Sequence, residues 1–360
     1  MGPFLKSYNI ASLTDHLNTP SSRFRIRQHI DNLANQNINV TDLPRLYSTQ
    51  SSGRFFPEIR IRSSILKFMT AGVFELLNIP NTLFRTLKSQ SYDAVWISRE
   101  LIIGYPSFEK IINNPIFYDI DDAVFLNNNI TVSSINRLIT NAAVVFAGNE
   151  YLANYCSQYS SNVIIIPTAV DTDRFIELKR KSTNQQFVVG WSGTSSSYKF
   201  FKPIEDTLVE FFKWKKDARL KICSDMFPFE LRKLTEYIDY EPWSVDKEIS
   251  QIQSFDVGIM PLEDSDWVKG KCSYKMLLYA ACGIPTITSS YGMNKDVLSL
   301  GKIGLGCRDA NEWRDALEYV YRSRDSLSSH FPDCRQVILK NFSLDVISGR
   351  IATAMRSVLE

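Results

Sequence analysis

The strongest constraint on this chain is a recurrence. Short, continuously apolar runs rich in β-branched residues come in two series, each interleaved with longer stretches of helical periodicity. The first series is 7–13, 93–98 (DAVWIS), 115–120 (PIFYDI), 142–148 (AAVVFAG) and 162–167 (NVIIIP). The second is 187–192 (FVVGWS), 218–223 (ARLKIC), 254–260 (SFDVGIM) and 284–289 (IPTITS). A strand with one face in water alternates apolar and polar residues, whereas a strand that is apolar throughout is covered on both faces. With helical stretches such as 22–35 and 202–216 between the runs, the order implies right-handed βαβ units. The predicted fold class is α/β, with two Rossmann-like doubly wound domains.

The length agrees, since 360 residues correspond to two domains at ~100–200 residues each. The polar stretch 171–186 reads as a linker, and 343–358 reads as an amphipathic helix capped by Ser343. The predicted domains are therefore 1–168 and 169–342, with 343–360 as a terminal helix. Ligands of such sheets bind beyond the carboxyl ends of the strands, and two facing sheets enclose a cleft.

Composition excludes several classes of partner. Forty-one basic residues stand against thirty-nine acidic ones, a net charge of +2, which rules out a bulk electrostatic partner such as long nucleic acid. The six cysteines are scattered without the two-residue spacing of a zinc knuckle, and there are three histidines. Neither a zinc site nor a disulfide framework is expected. The first ten residues lack a basic start followed by an apolar core. No apolar run reaches the ~20 residues that span a bilayer. The expectation is a soluble, reduced, cytoplasmic protein.

One segment qualifies that expectation. Residues 54–88 carry Arg54, Arg60, Arg62, Lys67, Arg85 and Lys88 against Glu58 and Glu75, interleaved with Phe, Ile and Leu. The stretch reads either as a basic amphipathic helix on an anionic membrane surface, peripheral to the inner face of the plasma membrane, or as a core-facing helix with a solvated basic edge.

Four motifs bear chemistry. The first is Pro20-Ser21-Ser22-Arg23, opening a helix predicted to begin near Arg23. Ser21 or Ser22 would cap it, and Arg23, Arg25 and Arg27 would add positive charge toward an anion. The second is Asp119-Ile120-Asp121-Asp122 after the strand IFY. Adjacent acids at a strand end repel, so one acid is expected to bind an acceptor hydroxyl and another to cap a turn, or the Asp-x-Asp pair to take a metal. The third is Ser192-Gly193-Thr194 after a strand, followed by a serine run with Lys199 and Lys202. Small residues there let a phosphate approach the backbone. The fourth is 260–292, where Lys269, Lys271 and Lys275 surround Gly270 at the mouth of a helix that stops at Cys282-Gly283. Lysines oppose the dipole at a helix N-terminus, which makes a diphosphate a natural occupant.

In this order the motifs resemble the retaining glycosyltransferases of the GT-B fold, family 4, in the branch with PSSRxR, YDIDD, GWSG and KGKC motifs. The matching stretches are Pro20 to Arg25, Tyr118 to Asp122, Gly148 to Ala153, Pro167 to Asp171, Gly190 to Gly193, Phe255 to Leu262 and Trp267 to Pro285. The resemblance implies two domains facing across a cleft. A GDP- or UDP-sugar would lie mainly in the second domain, with no bound cofactor, and a glycan or lipid-linked acceptor mainly in the first. It implies donor contacts from Ser192, Gly193, Thr194, Lys199, Trp243, Glu263, Lys269, Lys271 and Lys275. Acceptor contacts would come from Ser21, Ser22, Arg23, Arg27 and Asp121, and catalytic roles would fall to Asp121, Asp122, Lys271 and Lys275. The implied reaction is hexosyl transfer with retention, in surface-polysaccharide or glycoconjugate synthesis.

The chain departs from the family pattern at two places. Many relatives carry a pair of glutamates in the last motif, where this chain has Gly270 and Leu278. Many also place a histidine after the strand that here ends in IFY, where this chain offers Asp121 and Asp122. Two rival readings follow: a GT-A enzyme with a metal on Asp119 and Asp121, and a non-catalytic GT-B scaffold that binds a sugar nucleotide or glycan.

Overall fold

The computed structural model describes residues 6–17, 19–47, 64–102, 107–127, 129–178 and 186–360, excluding the side chains of 64–71, 129 and 130. It divides into two compact units: Met1–Ala169 with Ile347–Glu360, and Val170–Val346.

The first unit holds a six-stranded sheet of β1 (Tyr8–Leu13), β2 (Ile38–Asp42), β3 (Ala94–Ser98), β4 (Ile116–Ile120), β5 (Val144–Ala147) and β6 (Val163–Ile165). Its order is β2-β1-β3-β4-β5-β6, and every pairing is parallel. Every residue of β3, β4 and β5 is buried, as their unbroken apolar sequences require. Phe117 stacks on Phe146 with ring centroids 5.9 Å apart, and Trp96 meets Phe146 edge-on at 6.0 Å.

The second unit holds β7 (Phe187–Ser192), β8 (Ala218–Ser224), β9 (Ile238–Pro242), β10 (Val257–Met260), β11 (Thr286–Ser289) and β12 (Gly304–Cys307). The order is β12-β11-β10-β7-β8-β9, again all parallel. That is the doubly wound arrangement, and its topological switch point lies between β7 and β10. In the first unit the switch point lies between β1 and β3. Ligand sites are therefore sought where β7, β10, β1 and β3 end.

Gly190 of β7 sits opposite Gly258 of β10. A Cβ on Gly190 would lie 1.9 Å from the Phe255 ring, and one on Gly258 would lie 2.2 Å from the Tyr279 ring. The two glycines leave room for two aromatic rings to pack against the sheet, edge to face with centroids 5.8 Å apart.

The helix Leu344–Leu359 belongs to the first unit from Ile347 onward. Val346 N–H donates to Ser343 Oγ at its start, so the serine cap read from the sequence is present. Tyr8 Oη donates to Leu359 O, Arg356 to Gln36 O and Arg350 to Ile165 O. Among the described residues no helix is long and apolar enough to cross a membrane.

Candidate active site

In the second unit, the carboxyl end of β7 gathers several of the expected donor residues. The helix Tyr274–Ala281 places Tyr279 beneath this edge, where Ser192 N–H donates to Tyr279 Oη at 2.9 Å. The turn Ser192-Gly193 is thereby tied to the helix. One turn earlier Lys275 lies against the same place: a Cβ on Gly193 would be 2.5 Å from Lys275 Cε. Lys275 Nζ stands 5.7 Å from the Trp191 ring centroid. A cation, a small-residue turn and an aromatic platform thus meet at the switch point. Burial drives the Tyr279 phenol upward, well clear of neutral pH, so it remains a neutral anchor.

The other donor candidates are placed differently. Lys271 Nζ lies 5.8 Å from the Trp267 ring. Lys269 is the last residue of the short helix Asp266–Lys269 and pairs with Asp266 at 3.0 Å. This corrects the expectation that the three lysines crowd one helix N-terminus. Lys269 sits at a C-terminus, where a cation is favoured, and only Lys275 occupies the first turn of the helix that follows. The backbone of Lys269 packs on Gly292, whose Cβ would lie 3.0 Å from Lys269 Cα.

Thr194 Oγ1 lies 3.0 Å from Ser196 Oγ, and Ser195 donates through N–H and Oγ to Asp225 at 2.7 and 3.0 Å. The serine run forms a 3-10 helix, Ser195–Ile204, on which Lys199 is exposed. Trp243 is half-buried after β9, its N–H on Ser224 O at the end of β8. Glu263 is exposed after β10.

In the first unit the chain between β1 and β2 is built around two arginines. The helix Pro20–Arg25 begins three residues earlier than expected, with Thr19 as N-cap and Pro20 in its first turn. Proline's fixed φ suits the first helical position, so Ser21 and Ser22 lie inside the helix and cap nothing. Ser22 is buried, and its Oγ accepts from Asp15 N–H. Arg23 lies over the Phe24 ring at 4.3 Å.

Arg25 and Arg27 are not the free positive charges that the sequence suggested. Arg25 is buried and donates to both Asp119 oxygens at 2.9 and 3.1 Å. Arg27 donates to Asp42, to Thr14 Oγ1 and to the carbonyls of Asp15, His16 and Leu17. Those bonds account for all five guanidinium protons, which turns Arg27 from an expected acceptor ligand into a brace for the loop after β1.

Beyond β4 the acids divide by depth. Asp119 is buried, and burial raises its pKa to about 6, with Arg25 acting in the opposite sense. Asp121 and Asp122 are partly exposed, and Arg99 reaches both at 3.5 and 3.3 Å. Arg99 holds φ +67°, a left-handed backbone that a non-glycine residue adopts at a cost. With both Asp119 oxygens engaged by Arg25, the Asp-x-Asp motif does not present two open carboxylates to a metal. Among the described residues no group of three or more His, Cys, Asp or Glu is placed to hold one. Shallow depressions of this unit lie at the amino ends of β4 and β5, lined by Glu109, Lys110 and Asn141, away from these residues.

Sequence reasoning missed Trp191, Tyr279 and Arg99. The signal available was that Gly190 and Gly258 fall inside strands, which marks a close approach.

Solved structures resemble this chain over nearly its whole length. A glycosyltransferase from Rickettsia africae has a TM-score of 0.70 at 12% identity, covering 99% of both chains. Sucrose-phosphate synthase from Thermosynechococcus elongatus has a TM-score of 0.70 at 14% identity, covering 98% of this chain and 99% of its own. Anabaena HepE in complex with UDP-glucose has a TM-score of 0.69 at 11% identity, covering 97% of this chain and 100% of its own. The fold is GT-B. No family model matches the chain, and no curated protein matches it.

Proposed function

We propose that this chain is a glycosyltransferase that moves a hexose from a UDP- or GDP-sugar to a hydroxyl group of a glycan or lipid-linked acceptor. The observation that carries the reading is Lys275 held against Gly193 and Trp191 at the β7–β10 switch point. A small-residue turn admits a diphosphate, and a lysine beside it stabilises the charge that grows on the departing nucleoside diphosphate. Lys271 supplies a second cation, and Trp243 and Glu263 lie on loops after β9 and β10, suited to base and sugar contacts. On the acceptor side, Asp121 and Asp122 are the partly exposed carboxylates, and Asp121 would accept a hydroxyl proton. In this reading the acceptor enters from the face that the diphosphate leaves, with retention and with lysine charge in the place of a metal. The setting proposed is surface-polysaccharide or glycoconjugate synthesis.

Calorimetry with UDP, GDP and their sugars tests this directly. Binding that Lys275→Ala weakens roughly tenfold or more, with slow donor hydrolysis by the wild type, supports the proposal. No binding of either nucleotide overturns it. Gly270 and Leu278 stand where many relatives carry acids, and Leu278 is buried in its helix, which favours the scaffold reading as the competitor. Tight binding with no hydrolysis and no transfer to any acceptor extract would select the scaffold.

A further inference from the structure

Over residues 72–89 the helix Ser64–Ser89 is inside out. There its polar residues, Lys88 apart, face the protein. Arg45 donates to both Glu75 oxygens at 2.9 and 3.0 Å, and the Asn78 amide binds the backbone N–H and C=O of Tyr47. Arg85, expected on a basic outer edge, is buried and donates to Thr14 O and Leu43 O. The apolar residues face away: Val73, Leu76, Leu77, Leu83, Phe84 and Leu87 are all exposed, Leu76 by 67% and Phe84 by 64%. Leu46, next to the Tyr47 that Asn78 holds, is exposed by 61% and extends the patch.

A soluble surface helix hides its apolar stripe and shows its charges. Here the reversal is specified by inward hydrogen bonds, so the apolar face is a built feature and not an accident of loose packing. Contiguous exposed patches of this kind mark a contact surface.

We infer that this face seats the protein on an anionic lipid bilayer, with the helix lying in the interfacial plane. Charge selects the occupant. Between 72 and 89 the charged residues are Glu75, Arg85 and Lys88, and the first two are turned inward. The outward charge left to the face is the cation Lys88, and Lys110 is exposed on the 3-10 turn Phe108–Ile111 that packs on the same helix. An apolar stripe with a basic end matches acyl chains beneath anionic headgroups. The inference stands on residues of the first unit, none of them a donor candidate, and does not depend on the transferase reading.

The test is co-sedimentation of the full chain with vesicles of phosphatidylcholine alone and of phosphatidylcholine mixed with phosphatidylglycerol. The expected result is partition onto the mixed vesicles, weakened by salt, and roughly tenfold weaker on pure phosphatidylcholine. Leu76→Glu and Phe84→Glu should each cut partition about tenfold or more. Phe84→Ser should show a smaller loss, and all three should keep the wild-type unfolding midpoint and nucleotide affinity. Equal partition of the glutamate variants and the wild type overturns the inference, as does failure of the wild type to bind the mixed vesicles. Should light scattering show a dimer that Phe84→Glu dissociates, without any vesicle binding, the face belongs to a second copy of the chain and the lipid assignment is wrong.

Discussion

Ser192 N–H donates to Tyr279 Oη at 2.9 Å, joining the end of β7 to a helix eighty-seven residues further along the chain. Three features make this bond available. Gly258 lets the Tyr279 ring lie on the sheet, β10 pairs with β7 only as far as Gly190, and Ser192 N–H is therefore left without a strand partner on that side. Tyr279→Phe would leave a buried amide unpaired at a cost of ~1–3 kcal/mol. Because the same bond holds the turn beneath Lys275, nucleotide affinity should fall as well. Calorimetry and thermal unfolding of Tyr279→Phe check both. A loss of stability with unchanged UDP and GDP affinity would separate the turn from the ligand.

Acid should loosen the C-terminal helix through one histidine. His29 is fully buried with Nδ1 2.8 Å from Ser348 Oγ. Burial first, and Arg25 second, lower its pKa to about 3. Below the ordinary histidine pKa of ~6.5 the unfolded chain binds a proton that the folded chain refuses. Stability is therefore present above ~6.5 and falls with decreasing pH, by up to ~1.4 kcal/mol per unit. Asp119 acts oppositely: its pKa of about 6 means that the folded chain takes a proton before the unfolded one. Its contribution rises as pH falls from about 6 toward the ordinary carboxylate range and offsets His29 there. The fall should thus be steepest just below ~6.5 and flatten further down. Hydrogen-exchange protection factors of amides in Leu344–Leu359 at pH 7.5 and 6 should show the loosening in the wild type, and His29→Gln should remove that loosening.

The buried pair Arg25–Asp119 predicts an asymmetric mutational pattern. Removing the guanidinium leaves an uncompensated buried carboxylate, so Arg25→Met should cost ~3–5 kcal/mol at neutral pH. Without Arg25 the Asp119 pKa rises further. The folded state then binds more protons than the unfolded, and the defect should shrink as pH falls toward 5. Arg25→Met combined with Asp119→Leu removes both charges and should recover much of the loss. Urea midpoints at pH 8 and pH 5 check the pattern, and a pH-independent defect in Arg25→Met would contradict it.

What was legible in the sequence follows from burial. β3, β4, β5, β10 and β11 are buried throughout and announce themselves as apolar runs. β2 and β9 lie at sheet edges, β2 exposing alternate residues and β9 burying none fully, so INVTD and IDYEP carry too little apolar signal. β12 contains two glycines, and a Cβ on Gly304 would lie 2.2 Å from Thr286 O, so close approach replaced the side chains that would have marked a strand. At the site, residue types were visible but pairings were not. The arginines after Pro20 read as free charge because their partners Asp119 and Asp42 lie on β4 and β2, ninety-four and fifteen residues away. The stretch 54–88 read as basic and amphipathic from its interleaved charged and apolar residues, but that pattern does not say which face turns inward. Only the hydrogen bonds of Glu75, Asn78 and Arg85 decide that.

Arg99 joins backbone strain to electrostatics at the acceptor-side acids. Burial works against its charge, but Asp121 and Asp122 outweigh burial and hold its pKa above the ordinary value. It adopts φ +67°, and glycine relieves such a conformation where alanine does not. Arg99→Ala should therefore be less stable than Arg99→Gly by ~1 kcal/mol, although both lose the same ion pairs. If Asp121 takes the acceptor proton, Asp121→Asn should lower kcat by roughly a hundredfold while leaving the nucleotide Kd within about twofold. Arg99→Gly should lower kcat less, because it leaves the carboxylate in place but unsteered. Steady-state kinetics on an active acceptor, set beside nucleotide titrations, give both quantities. Equal losses of turnover and donor affinity in Asp121→Asn would remove the proton-accepting role and assign this carboxylate to the architecture of the β4 end.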